Sequence, residues 1–212
     1  MSRPDISFSV EACARYQANP KESHLMFVKR IIHYINGTLD YGLWYPYDSS
    51  IVIIGYSDVD WAENVEDRKG TFSAYFFIGD CIVAWLSKKQ NFISLSTTKT
   101  KYIVVWSYCT QLLWMKQMLK DYGIEQRTMS IQYDNSSAIN ISKNHVLHSC
   151  TKHIEIHHHF IRDLVKEKVI SLKFVFNEHQ LSNILTKHLT SLRFEFLRKF
   201  LDICLINWSS KL

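Results

Sequence analysis

Glycine and proline are scarce, at 6 and 3 of 212 residues. So few turn formers exclude a collagen-like repeat and a glycine-rich phosphate-binding loop, and 47% hydrophobic residues with a mean hydropathy of -0.12 exclude a disordered chain. The five cysteines (Cys13, Cys81, Cys109, Cys150 and Cys204) contain no CxxC pair, and an odd, scattered set disfavours both a disulfide framework and a structural zinc site. No apolar run approaches the roughly 20 residues of a membrane span, and the first residues lack the basic start and apolar middle of a signal peptide. The expectation is an intracellular chain of the cytoplasm or nucleus without a membrane partner. Charge of one sign is also lacking: 25 Lys+Arg against 20 Asp+Glu give +5, a mild bias toward an anionic partner such as nucleic acid.

What is present is alternation and helical periodicity in a chain long enough for one domain with a small appendage. Residues Pro4 to Tyr34 read as one or two helices broken at Pro20. A short aromatic strand spans Gly42 to Pro46. Then Ile51 to Asp58 is an apolar run ending in an acid, and Thr71 to Ile78 and Cys81 to Ser87 are two more strands separated by the Gly79-Asp80 hairpin signal. From Thr98 to Tyr122, apolar residues recur every 3.6 positions until Gly123 stops them. Met129 to Asp134 is a strand that again ends in an acid, followed by a short helix from Ala138 to Ser142. Helices at Thr151 to Lys168, Gln180 to Lys187 and Leu192 to Leu201, with a strand at Ile170 to Phe176, complete the pattern. The order βββαβααβα predicts an α/β fold with a mixed sheet.

Asp58 and Asp134 thus stand at the C-terminal ends of two predicted strands, where open α/β sheets place their binding sites. Two such carboxylates could share a metal ion. Strand-end aspartates also turn chains and cap helices, so position alone does not choose between these roles.

Several long blocks in sequence resolve that choice: Ser2-Arg-Pro-Asp-Ile, GYSDVDWAENVEDRKGT from Gly55, SKKQNFISLSTTKTKY from Ser87, QLLWMKQML from Gln111, YDNSSAINISKN from Tyr133, TKHIEIHHHFIRD from Thr151 and ILTK from Ile184. Together they resemble the C-terminal part of the Pol polyprotein of copia-type LTR retrotransposons, the plant members in particular. The resemblance implies an RNase H-like fold, a five-stranded mixed sheet with helices on both faces, over residues 49–212. Residues 1–48 would be a remnant of the reverse transcriptase C-terminal or connection region, the polymerase active site itself being absent from the chain. It further implies metal-dependent hydrolysis of the RNA strand of RNA-DNA hybrids, with Mg²⁺ held by several acids.

Carried over position by position, Asp58 and Asp134 match two of the family's metal-binding acids. The glutamate of its Thr-Glu-Ala-Glu-Tyr block is Lys99 here, and the aspartate of its Ala-Asp-Ile-Leu-Thr-Lys block is Asn183. These four positions sum to a charge of -1 where four acids would give -4. Lys99 could place its ammonium where a metal should sit, beside Asp58 or Asp134. The expectation is a folded site with hydrolysis lost or strongly impaired, Asp60 being the one rescue candidate because it shares a strand face with Asp58. The alternative is a non-catalytic nucleic-acid-binding relic or a non-functional product. The departures from the family blocks can each arise by a G-to-A codon change, as in a decaying element copy, and Met1-Ser-Arg-Pro-Asp resembles an internal polyprotein segment.

Lys88, Lys89 and Lys101, with Asn135 beside the second aspartate, form the candidate nucleic-acid-binding set. His153, His157, His158 and His159 share one predicted helix without a third ligand type, which favours packing or nucleic-acid contact over zinc. His179 and His188 are weaker candidates for assisting product release. Trp85, Trp106 and Trp114 fall in apolar patterns that predict core positions. The helical stretch from Glu11 to Asn36 is expected to carry an orphaned apolar surface.

Overall fold

The computed structural model describes residues 3–47, 49–60, 71–89, 97–134, 136, 139 and 155–206, without the side chains at 59–60, 89, 97–104 and 155–158. Helices α1 (Ser7–Ala14) and α2 (Glu22–Asn36) open the chain, and strand β1 (Tyr41–Leu43) follows. Then come β2 (Ile53–Asp60), β3 (Thr71–Ile78), β4 (Cys81–Lys89), the long helix α3 (Thr97–Asp121), β5 (Met129–Tyr133), α4 (Glu155–Lys166), β6 (Ile170–Phe174), a 3₁₀ turn over Leu181–Leu185, α5 (Ser191–Phe200) and β7 (Ile203–Leu205).

Five strands pair in the order β4-β3-β2-β5-β6, with β3 antiparallel to both its neighbours and β5 parallel to β2 and β6. This is the mixed α/β sheet expected from the sequence. Alternation divides the strands between two cores. On one face Ile53, Ala74, Phe76, Met129, Ile131, Tyr133, Ile170 and Leu172 pack against Val105, Cys109, Leu112 and Met115 of α3 and Ile161 and Leu164 of α4. On the other, Tyr75, Phe77 and Ile82 pack against Leu181, Ile184 and Leu185 of the 3₁₀ turn and Leu197 and Leu201 of α5. Helical elements therefore cover both faces.

Helix α3 stops where glycine predicts it. Gly123 adopts φ +78°, its N–H donates to the Lys120 carbonyl and that of Ile124 to the Leu119 carbonyl, the Schellman pairing that satisfies the last carbonyls. Three sequence expectations are corrected. The predicted Gln180–Lys187 helix is a short 3₁₀ turn, because Gln180, Asn183 and Thr186 are buried polar residues whose side chains bond to Ser57, Asn177 and Asp58 outside the turn. A further strand, β7, pairs antiparallel with β1, and both are too short to show alternation. Trp114 is exposed on α3, whereas Trp85 and Trp106 pack against the two cores. The expected helix from Ala138 to Ser142 lies outside the described residues apart from Ile139, which is buried.

The N-terminal segment docks on the sheet domain. Tyr75 donates its hydroxyl to the Pro4 carbonyl (3.4 Å), the Phe8 ring meets His188 edge-on at 5.4 Å, and Arg198 donates to the Tyr34 hydroxyl (3.1 Å). Helix α2 has no buried residue and exposes Leu25, Met26 and Ile32.

Candidate active site

Parallel pairing of β2 with β5 ends with Ser57 opposite Tyr133, so the next residues, Asp58 and Asp134, follow on adjacent strands. Strand β2 itself continues to Asp60 against β3, so Asp58 lies inside the strand and not at the end expected from the sequence, whereas Asp134 follows directly on β5. The two-residue period directs Tyr133 into the α3 core and places the acids on the opposite face, toward the 3₁₀ turn. Asp58 is buried at 1% exposure and Asp134 is partly buried.

Residues 177–187 close over Asp58 and are fastened to the strands by buried polar side chains. Gln180 donates from Nε2 to the Ser57 carbonyl (2.9 Å), and the Ser73 hydroxyl donates to the Ser182 carbonyl (3.2 Å). From the α3 side, the Tyr108 hydroxyl donates to the Ser73 carbonyl. Thr186 donates from Oγ1 to Asp58 Oδ2 (2.7 Å), and Lys187 Nζ lies 3.2 Å from the same oxygen. Lys187 Nζ also donates to Asn183 Oδ1 (2.9 Å). Asn183 Nδ2 in turn donates to the Asn177 carbonyl (2.8 Å) and to Asn177 Oδ1 (2.9 Å).

The structure sets Asp58 and Asp134 on adjacent strands and joins Asp58 to Asn183 through Lys187, a residue that sequence reasoning did not assign. Lys187 was visible only as the last letter of the ILTK block. The signal that could have found it is its spacing from Asn183, since residues four apart on one turn share a face. The side chains of Lys99, Lys101, Lys89 and Asp60, and all of Asn135, lie outside the described residues, so the expected Lys99 pairing falls outside them too. Lys88 is exposed on β4. His159 is exposed, and His179 faces Glu178 at 3.7 Å on the surface.

The donor set does not match paired Mg²⁺. That ion takes oxygens in near-ideal octahedral geometry and keeps several waters. Here Asp58 Oδ2 already receives a hydroxyl and an ammonium, and the Asn183 oxygen receives the same ammonium. Among the described residues no three His, Cys, Asp or Glu side chains converge as metal ligands.

Burial holds the Tyr108 and Tyr133 phenols well above their ordinary value, and the nearby charge of Asp58, with that of Asp134 for Tyr133, adds to it. In the unfolded chain a phenol loses its proton from about pH 10, whereas in the fold it keeps it. The stability this supplies is complete below that pH and is lost as pH rises beyond it. Urea denaturation should therefore show a steep loss of stability above about pH 10. The slope should be shallower in Tyr108→Phe, and an unchanged slope would remove Tyr108 from the account.

No family model matches the chain. It is 30% identical over 202 residues to the retrovirus-related Pol polyprotein from transposon TNT 1-94 of Nicotiana tabacum, covering 95% of this chain and 15% of that protein. To the Pol polyprotein from transposon RE1 of Arabidopsis thaliana it is 33% identical over 195 residues, covering 92% and 13%. Among solved structures, LC11-RNase H1 in complex with an RNA/DNA hybrid aligns with 63% of this chain and 93% of that one, at 11% identity and a TM-score of 0.47.

Strand order, the two-sided core and the neighbouring acids of β2 and β5 define the class as an α/β domain with a mixed five-stranded sheet and a candidate site beside its parallel strands. By its sequence relatives, the chain belongs to the Pol polyproteins of copia-type retrotransposons, and it spans 13 to 15% of the length of the relatives just described.

Proposed function

We propose that this chain is the RNase H-like part of a copia-type Pol polyprotein, with residues 1–48 as the docked tail of the preceding polymerase region. It keeps the surface for nucleic acid, while hydrolysis of the RNA strand of a hybrid is lost or strongly impaired. One observation carries this reading: Asn183, which the resemblance sets at the position of a family acid, is held in place as an amide. Its Nδ2 gives two hydrogen bonds to Asn177 that a carboxylate, having only acceptors, could not make. The replacement is therefore built into the local structure. With Lys99 at a second acid position, the counter-charge that two divalent ions require has gone.

The test is a hybrid-cleavage assay in Mg²⁺ on this chain beside the Lys99→Glu/Asn183→Asp double variant. Cleavage confined to the double variant, by about 10²-fold or more as for other losses of transition-state charge stabilisation, supports the proposal. Equal cleavage by both overturns the loss. Hybrid binding by the parent chain should weaken steeply with salt, as phosphate contacts release counterions, and should be unchanged by EDTA.

A further inference from the structure

Lys187 is tied to the turn it serves twice over. Its backbone N–H donates to the Asn183 carbonyl (3.0 Å) while its Nζ donates to the Asn183 side-chain oxygen (2.9 Å). The same Nζ stands 3.2 Å from Asp58 Oδ2, and the Lys187 side chain is only 31% exposed against 1% for Asp58. An ammonium held by so short a loop is always at hand, whereas an ion from solution must be captured and stripped of water.

We propose that Lys187 is the resident cation of this pocket: its ammonium links Asp58 to Asn183, bolts the 177–187 segment to β2, and keeps divalent ions off Asp58. The inference deepens the reading above and rests on it in one respect, that Asp58 and Asn183 stand at ligand positions. An ion bound to Asp58 Oδ2 would meet the ammonium at contact distance, and like charges so placed repel strongly in a site shielded from water. Without the ammonium, Asp58 Oδ2 and the Asn183 side-chain oxygen, which it now bridges, would be left as oxygens of the kind a hard cation takes. Lys187 is thus a positioning residue.

The experiment uses the full chain and Mn²⁺ alone, without nucleic acid, so its outcome is separate from that of the cleavage assay. Mn²⁺ affinity is measured by titration calorimetry, and Tm with and without the ion, for the parent, Lys187→Met and Lys187→Arg. The expected result is a tenfold or greater gain in Mn²⁺ affinity for Lys187→Met only, with a lowered Tm that Mn²⁺ restores. Lys187→Arg, which keeps a cation, should behave as the parent. Equal Mn²⁺ affinity in all three overturns the proposal. Should Lys187→Met fail to fold, the Asp58→Asn/Lys187→Met double variant decides: recovery of folding supports the link between the two residues, and a double variant as damaged as the single one overturns it.

Discussion

Asp5→Ala is expected to lower stability by about 3 kcal/mol, the lower end of the range for breaking a buried ion pair. Arg3 grips the Asp5 carboxylate with two parallel hydrogen bonds, Nε to Oδ1 at 3.0 Å and Nη2 to Oδ2 at 2.7 Å, and the Tyr34 hydroxyl donates to Oδ2 at 2.7 Å. The Asp5 side chain is fully buried, while Arg3 is partly open. Arg3 also donates to the Thr38 carbonyl and hydroxyl, and Arg198 of α5 donates to the same Tyr34 hydroxyl while lying 4.6 Å from the centroid of the Tyr41 ring, so the carboxylate belongs to a network that joins α2, β1 and α5. Truncation leaves the guanidinium and the phenol without their acceptor, and the cost of unmet buried donors exceeds the worth of the bonds themselves. At about 2–4 °C per kcal/mol for a chain of this size, Tm should fall by roughly 6–12 °C. A fall below about 2 °C would mean that the network adds nothing beyond packing. The Arg-Pro-Asp segment near the N-terminus therefore has a physical role in this chain, as the clasp that holds the first helices to the domain.

Gly79→Val is expected to cost more than about 3 kcal/mol, since it combines a left-handed backbone with a steric clash. Gly79 has φ +62°, and an added Cβ would fall 2.0 Å from the Ser50 carbonyl oxygen, a backbone atom that cannot swing aside. The Gly79 N–H meanwhile donates to the Val52 carbonyl at 2.8 Å, fixing the hairpin to the entry of β2. Gly79→Ala adds the Cβ and nothing more, so a loss in it well beyond that at a positive-φ glycine with open space around it must come from the clash. Gly123→Ala is the control, having φ +78° and nothing within 4 Å of an added Cβ, and should cost only about 1 kcal/mol. Urea denaturation of the three variants tests the ranking, and equal losses at both glycines would refute the steric account.

Gly79 also explains a detail of the sequence. Gly-Asp is the reverse of the Asp-Gly order favoured in type I′ hairpin turns, but only the first central residue here has positive φ. That is the requirement of a type II′ turn, in which glycine comes first. The hairpin was legible, and the order of its two residues was the correct one for the turn adopted. Strand β3 was equally clear because its alternate residues enter two different cores. The Gln180–Lys187 segment was misread because its apolar residues, Leu181, Ile184 and Leu185, have helical spacing. The buried Gln180, Asn183 and Thr186 side chains spend their hydrogen bonds on β2 and on Asn177, the Ser182 carbonyl accepts from Ser73 of β3, and a single 3₁₀ turn is what remains. Exposed Trp114 was misread for a related reason: α3 is apolar on more sides than the sheet can cover.

Sequence by itself determined the five strands of the main sheet, the long helix and the placing of an aspartate on or directly after each of two strands, because each depends on a residue pattern local to one element. Tertiary structure alone decided which cation meets Asp58. Lys187 and Thr186 approach that carboxylate from the far end of the chain, Thr186 across a separation of 128 residues. Periodicity records which face of an element is buried, whereas the partner brought to that face is set by strand order and by the packing of the 3₁₀ turn against β2 and β3.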